Sequence, residues 1–277
     1  MPESFRRHMS IRNEAKKRWL KAVGSTLWYA AEHGLYNGIT VSEESRENTF
    51  RLKKHLDNGG SGLVITNHIA ADDIVLQLEY LVKHLGISIN ELTAPVSKKQ
   101  FDGREGWFNA IILRMTPYIG INRPLIVQSY DTASYDQELV AGLRDEAFTE
   151  MNDTLLKPGG LVEFAPEGRR SRNKTLGRGR SGLGHVVLNY LTDVRTQLGM
   201  GPEAVLTPAA LVPNGRYSRK LNWRFSNEPF DGFEIRIGQP LPLNAINPQA
   251  LPHDIAQGCM HYLSSMMPDD MRGKYTV

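Results

Sequence analysis

The chain has 277 residues, of which 40% are hydrophobic and 23% charged, with a formal net charge of +3. That length suits one large α/β domain with or without a small appendage, and the composition excludes wholesale disorder. The single cysteine, Cys259, excludes an internal disulfide framework and a multi-cysteine metal site, and the mild basic balance is too weak to mark a nucleic-acid binder.

Met1 to Arg18 is charged and lacks the apolar core of a signal peptide. With one cysteine, a reduced cytoplasmic setting is expected. No run of about 20 apolar residues occurs, so no transmembrane helix is predicted. Arg12 to about His33 reads as a helix, basic at first and then apolar through Trp19, Leu20, Val23, Leu27, Trp28 and Ala31. Such a helix suits either a membrane interface or packing on the main domain. Ser42 is placed to cap a second helix reaching about Leu56, with Glu43 and Glu44 in its first turn. Asn58 to Gly62 is a break, which sets the expected boundary between a helical N-terminal region (1–58) and a catalytic domain (59–277).

Leu63, Val64 and Ile65 form a bounded apolar run of strand length, followed by Thr66-Asn67-His68 and a helical pattern carrying Asp72 and Asp73. Asn67 is suited to capping that helix. Ile87 to Val96 contains a second strand, Gly106 to Arg114 reads as helical, and Tyr118 to Arg123 as a strand or extended loop. Leu139, Leu143, Ala147, Met151 and Leu155 recur every fourth residue, a helical stripe that Pro158-Gly159-Gly160 ends. Leu161 to Phe164 is the next strand, with a helix following from about Ser181 to Leu198. Ala204 to Val212 reads as a strand interrupted by Pro208, Phe233 to Ile237 as another, and about Pro248 to Met266 as a closing helix. Alternating strands and helices predict an α/β fold: a mixed, largely parallel sheet flanked by helices, with a small helical N-terminal region.

Two places concentrate chemistry. His68 and Asp73 lie at a strand-to-helix junction, where α/β proteins often carry their sites. They suit a general base and its orienting partner, and equally a buried histidine bonded to a carboxylate. Glu167 to Gly182 holds Arg169, Arg170, Arg172, Lys174, Arg178 and Arg180 among Gly168, Gly177, Gly179 and Gly182. Guanidinium groups match paired phosphate oxygens, and glycines admit backbone N–H groups, so this loop suits a phosphate; a solvated basic loop is the alternative. Arg123 and Lys98 stand at the ends of two other segments and can converge on the same anion.

In order along the chain, these residues resemble the glycerolipid acyltransferases, the family of glycerol-3-phosphate and lysophosphatidate acyltransferases. Asn67-His68 with Asp73 matches the family's His-x4-Asp, and Gly120-Ile121-Asn122-Arg123 is similar to its glycine-to-arginine block. Phe164-Ala165-Pro166-Glu167-Gly168-Arg169-Arg170-Ser171 is similar to its Phe-Pro-Glu-Gly-Thr-Arg-Ser, with Arg169 where the family has threonine. Leu211-Val212-Pro213 resembles its last block, and Pro95 to Phe101 its lysine-bearing stretch. The resemblance spans about residues 60–240 and does not include the family's common membrane-anchoring segment.

The resemblance implies a fatty acyl group moving from acyl-CoA or acyl-ACP to a hydroxyl of glycerol-3-phosphate or lysophosphatidate in phospholipid biosynthesis. His68 then takes the hydroxyl proton and Asp73 orients it, with the substrate supplying the nucleophile. Gly120, Arg123, Arg170, Arg172 and Lys98 fall to the acceptor phosphate, and Glu167 to the glycerol hydroxyls or to bracing the arginines. The oxyanion donor has a backbone N–H near Gly168 as its candidate. No metal or resident cofactor is expected, and no nucleic-acid partner. Expected partners are the acyl thioester, the phosphate-bearing glycerol and a peripheral contact on the inner face of a membrane. A different acceptor (a lysophospholipid or specialised metabolite) and a non-catalytic lipid- or membrane-binding protein are the rival readings.

Overall fold

The computed structural model describes residues 39–68, 80, 92–103, 122, 124–128, 131–169, 175–196, 201–213 and 233–275. The expected helices at 12–33 and 106–114 lie outside them, as do Asp73, Gly120, Arg123, Arg170 and Arg172.

Nine strands and five helices form among these residues. Strands β1 (Ile39–Val41), β2 (Ser61–Thr66), β3 (Leu92–Thr93), β6 (Leu161–Phe164), β7 (Ala204–Pro213), β8 (Phe233–Ile237) and β9 (Leu241–Pro242) make one sheet. Its order is β1-β8-β7-β2-β6-β3, with β9 also on β7. Only the pairings of β7 with β8 and β9 are antiparallel; the other four are parallel. Strands β4 (Val96–Ser97) and β5 (Leu125–Ile126) pair in parallel as a separate ribbon. The helices are α1 (Glu43–Asp57), α2 (Lys98–Phe101), α3 (Gln137–Leu155), α4 (Gly182–Thr196) and α5 (Pro252–Ser264).

Local chemistry sets the helix ends. The Ser42 hydroxyl accepts the Ser45 N–H at 3.1 Å to cap α1, and Asp136 accepts two first-turn N–H groups to cap α3. Gly59 and Gly159 take positive φ just past these helices, which costs glycine nothing. On α1, Ser45, Asn48, Thr49, Leu52 and Leu56 are the buried stripe.

Helices cover both sheet faces, the signature of a mainly parallel sheet. Gly62 pairs with Leu161, and a Cβ at Gly62 would meet Leu52 of α1 at 3.3 Å, so α1 covers that face. Thr93 pairs with Val162, of opposite parity, and its hydroxyl bonds Thr154 of α3 at 2.7 Å. Helix α3 therefore covers the other face. All six residues of β2, at the centre of the sheet, are buried. Residues 39–57, on the N-terminal side of the break at 58, supply the edge strand β1 and the face-covering helix α1.

One element departs from expectation. Strand β7 runs unbroken through Pro208, whose carbonyl accepts the Gly238 N–H at 2.9 Å. Residues on either side of the proline pair with different strands: Ala209 with Ile237 of β8, and Leu206 with Leu241 of β9. Pro208 therefore lies where β7 changes neighbours from β9 to β8, and it meets Gly238 as an acceptor only. The last helix is also shorter than expected, spanning Pro252–Ser264.

Candidate active site

Strands β6, β2 and β7 run in parallel, so their C-terminal ends open on one edge of the sheet. Crevices at this edge are where α/β proteins bind ligands. The chain leaves β2 there as Thr66-Asn67-His68, all buried, with His68 7% exposed. Asn67 clamps this exit to β7: its Nδ2 donates to the Leu211 carbonyl at 2.9 Å, and its Oδ1 accepts the Leu211 N–H at 2.8 Å. The carboxamide expected to cap the next helix is thus engaged across the sheet.

His68 is tied to β6 through its backbone. Its N–H donates to Oε1 of Glu167 at 3.2 Å, and Oε2 of the same carboxylate accepts the Gly177 N–H at 2.6 Å. Glu167 is 2% exposed. A buried carboxylate must be compensated, and bonds from backbone amides to a charged acceptor are among the strong ones. Glu167 therefore joins the end of β2 to the glycine-rich loop, a role outside the two expected for it. A Cβ at Gly177 would sit 2.7 Å from Oε2, so this approach requires glycine.

Gly168 follows with φ +63°, and its N–H is bonded to the Ala165 carbonyl at 3.1 Å. That N–H closes a turn, while the oxyanion donor is expected among the backbone N–H groups near Gly168. The returning limb of the loop runs alongside: the Arg180 N–H donates to the Pro166 carbonyl at 2.8 Å, and the Arg180 Cγ lies 3.6 Å from a Cβ position on Gly168. Of the basic side chains, Arg169 and Arg180 are exposed, and Arg178 reaches His253 of α5 at 3.1 Å. Lys98, the first residue of α2, is ion-paired with Asp102, which also accepts from the Tyr135 hydroxyl at 3.3 Å.

The structure thus brings His68, Glu167, Gly168 and the 175–180 limb together at one sheet edge and places Lys98 in a separate ion pair. Among the described residues, no group of three His, Cys, Asp or Glu side chains is arranged to hold a metal ion. No described helix is long and apolar enough to cross a membrane. His185 stacks on Phe148, and the Tyr190 hydroxyl bridges the Pro202 carbonyl and the Ala204 N–H. Burial raises the Tyr190 hydroxyl above its ordinary pKa and pushes the Cys259 thiol up to about 12, so Cys259 is packing rather than a nucleophile. Tyr275, for which the sequence suggests no role, is 1% exposed and directs its hydroxyl at the basic loop.

A family model described as Acyltransferase matches residues 47–210, more than half of the chain. The match starts within α1, contains the His68 exit and the Glu167 turn, and ends within β7. No curated protein matches the chain.

Proposed function

The chain belongs to the acyltransferase family, and from that membership we propose that it moves a fatty acyl group from acyl-CoA or acyl-ACP to a hydroxyl of glycerol-3-phosphate or lysophosphatidate. The observation that carries this reading is the buried His68 at the C-terminal end of the central strand, its amide fixed by Glu167. In this reading His68 takes the proton of the acceptor hydroxyl as that oxygen attacks the thioester carbonyl. The carbonyl becomes tetrahedral, the C–S bond breaks, and the proton passes to the departing thiolate. Asp73 holds the imidazole in orientation and offsets the charge it gains. Arg123, Arg170 and Arg172 hold the acceptor phosphate with bidentate bonds. Lys98 shares its charge between Asp102 and that phosphate. Acceptors with acyl chains would be met at the inner face of a membrane.

The test is thiol release from a palmitoyl thioester, with glycerol-3-phosphate or lysophosphatidate, beside the His68→Ala variant. Release that depends on one acceptor, and falls about a hundredfold to ten-thousandfold in the variant, supports the reading and chooses the acceptor. Turnover near that of the parent in His68→Ala overturns it.

A further inference from the structure

We infer that the C-terminal segment Met271–Tyr275 is a strap that sets the basic loop, with Tyr275 its positioning residue. This lies beyond residues 47–210, the part that the family model matches. Four bonds make the strap. The Leu176 N–H donates to the Met271 carbonyl at 2.7 Å. The Gly179 N–H donates to the Tyr275 hydroxyl at 3.1 Å, and that hydroxyl donates to Oε1 of Gln257 at 2.7 Å. Gln257 closes the ring by donating from Nε2 to the Gly179 carbonyl at 3.0 Å.

Both polar groups of the Gly179 backbone are thus held by side chains from outside the loop. The approach is close enough to demand glycines. A Cβ at Gly273, where φ is +57°, would lie 2.5 Å from the Leu176 carbonyl oxygen, and one at Gly179 would lie 2.5 Å from Cγ of Met260. The strap has its own anchors: the Tyr275 ring meets His261 edge-on at 5.0 Å between centroids, and the Ser264 hydroxyl donates to the Tyr275 carbonyl at 3.3 Å.

Gly177 lies between the two strapped residues, and its N–H is the one that Glu167 accepts. The strap therefore fixes the limb on which Glu167 closes. For the limb that carries Arg178 and Arg180, the consequence is pre-organisation: guanidinium groups carried on a fixed backbone need less ordering when phosphate arrives. Tyr275 acts through the loop and touches no reacting atom. This consequence rests on the proposed phosphate role of the loop; the strap itself does not.

The experiment is amide hydrogen exchange on the full chain, comparing Tyr275→Phe, Gln257→Ala and a control, Tyr262→Phe. The control removes a hydroxyl on α5 that bonds the Gln239 carbonyl away from the loop. Exchange at 176–180 should speed about tenfold in the first two variants, the factor for one lost hydrogen bond, and stay unchanged in the control. Unchanged exchange in Tyr275→Phe overturns the strap; should that variant not fold, Gln257→Ala decides. In the thiol-release assay, Tyr275→Phe should raise the acceptor KM several-fold with kcat and thioester KM retained. A fall in kcat at unchanged acceptor KM overturns the positioning role. Absence of acceptor-dependent release in the parent would defeat the functional reading alone, since exchange needs no substrate.

Discussion

Glu167 is the residue whose chemistry reaches furthest for its size. Its two oxygens face two backbone N–H groups, from His68 and Gly177, on segments far apart in sequence. A glutamine has nearly the same shape but offers one oxygen and an NH2 group, so one amide would face a donor. Leaving a buried donor unmet costs about 1–3 kcal/mol. Glu167→Gln should therefore unfold at lower denaturant by about that free energy, and its turnover should fall further than the lost stability explains. Denaturant melts beside initial rates check this. A variant as stable and as active as the parent would show that the carboxylate is dispensable.

At the scale of elements, the strand exit at His68 is held from two sides, by Glu167 from the turn after β6 and by Asn67 reaching to β7. Asn67 makes a two-bond amide pair with Leu211, in a place without exposure. Removing it leaves both Leu211 backbone groups unmet, about 2–6 kcal/mol in total when each costs about 1–3 kcal/mol. Asn67→Ala should lose that much by denaturant melt, and exchange at the Leu211 amide should speed with it; an unaltered Leu211 rate would contradict the clamp. The elements themselves were legible where a pattern was long enough. Ala147, Met151 and Leu155 are buried as their fourfold spacing predicts, while Leu139 at the head of the stripe is 43% exposed. Ser42 caps α1 as its residue type suggests. Strands β3, β4 and β5 have two residues each, too few to carry an alternation, and partners distant in sequence hold them. Pro208 misled because a single strand does not reveal that its neighbours change at that point. The site was partly legible for the same reason: His68 and Glu167 announce themselves by type and place. The amides they share do not, and neither does a tyrosine arriving from the far end of the chain.

For the whole molecule, one sheet edge depends on chain segments that are remote from each other. Strand β1 pairs in parallel with β8, and the Thr40 hydroxyl reaches the Phe233 carbonyl at 3.4 Å across 193 residues. Among the described residues β1 is the edge strand, and its three residues make it short and weakly sticky. Beneath it, β8 has five residues, with Phe233, Ile235 and Ile237 buried. Helix α1 holds β8 independently, since Asn48 donates to the Ile237 carbonyl and Ser45 accepts its N–H. Removing residues 1–41 should therefore keep the fold but open a longer edge of unpaired N–H and carbonyl groups, a template for pairing with another copy. Removing residues 1–38 leaves β1 in place and isolates its contribution. By size exclusion with light scattering, the shorter deletion should match the parent, and the longer one should shift to higher mass as concentration rises. Identical profiles for the two deletions would show that β1 does not guard the edge, and that the burial of β8 rests on α1 alone.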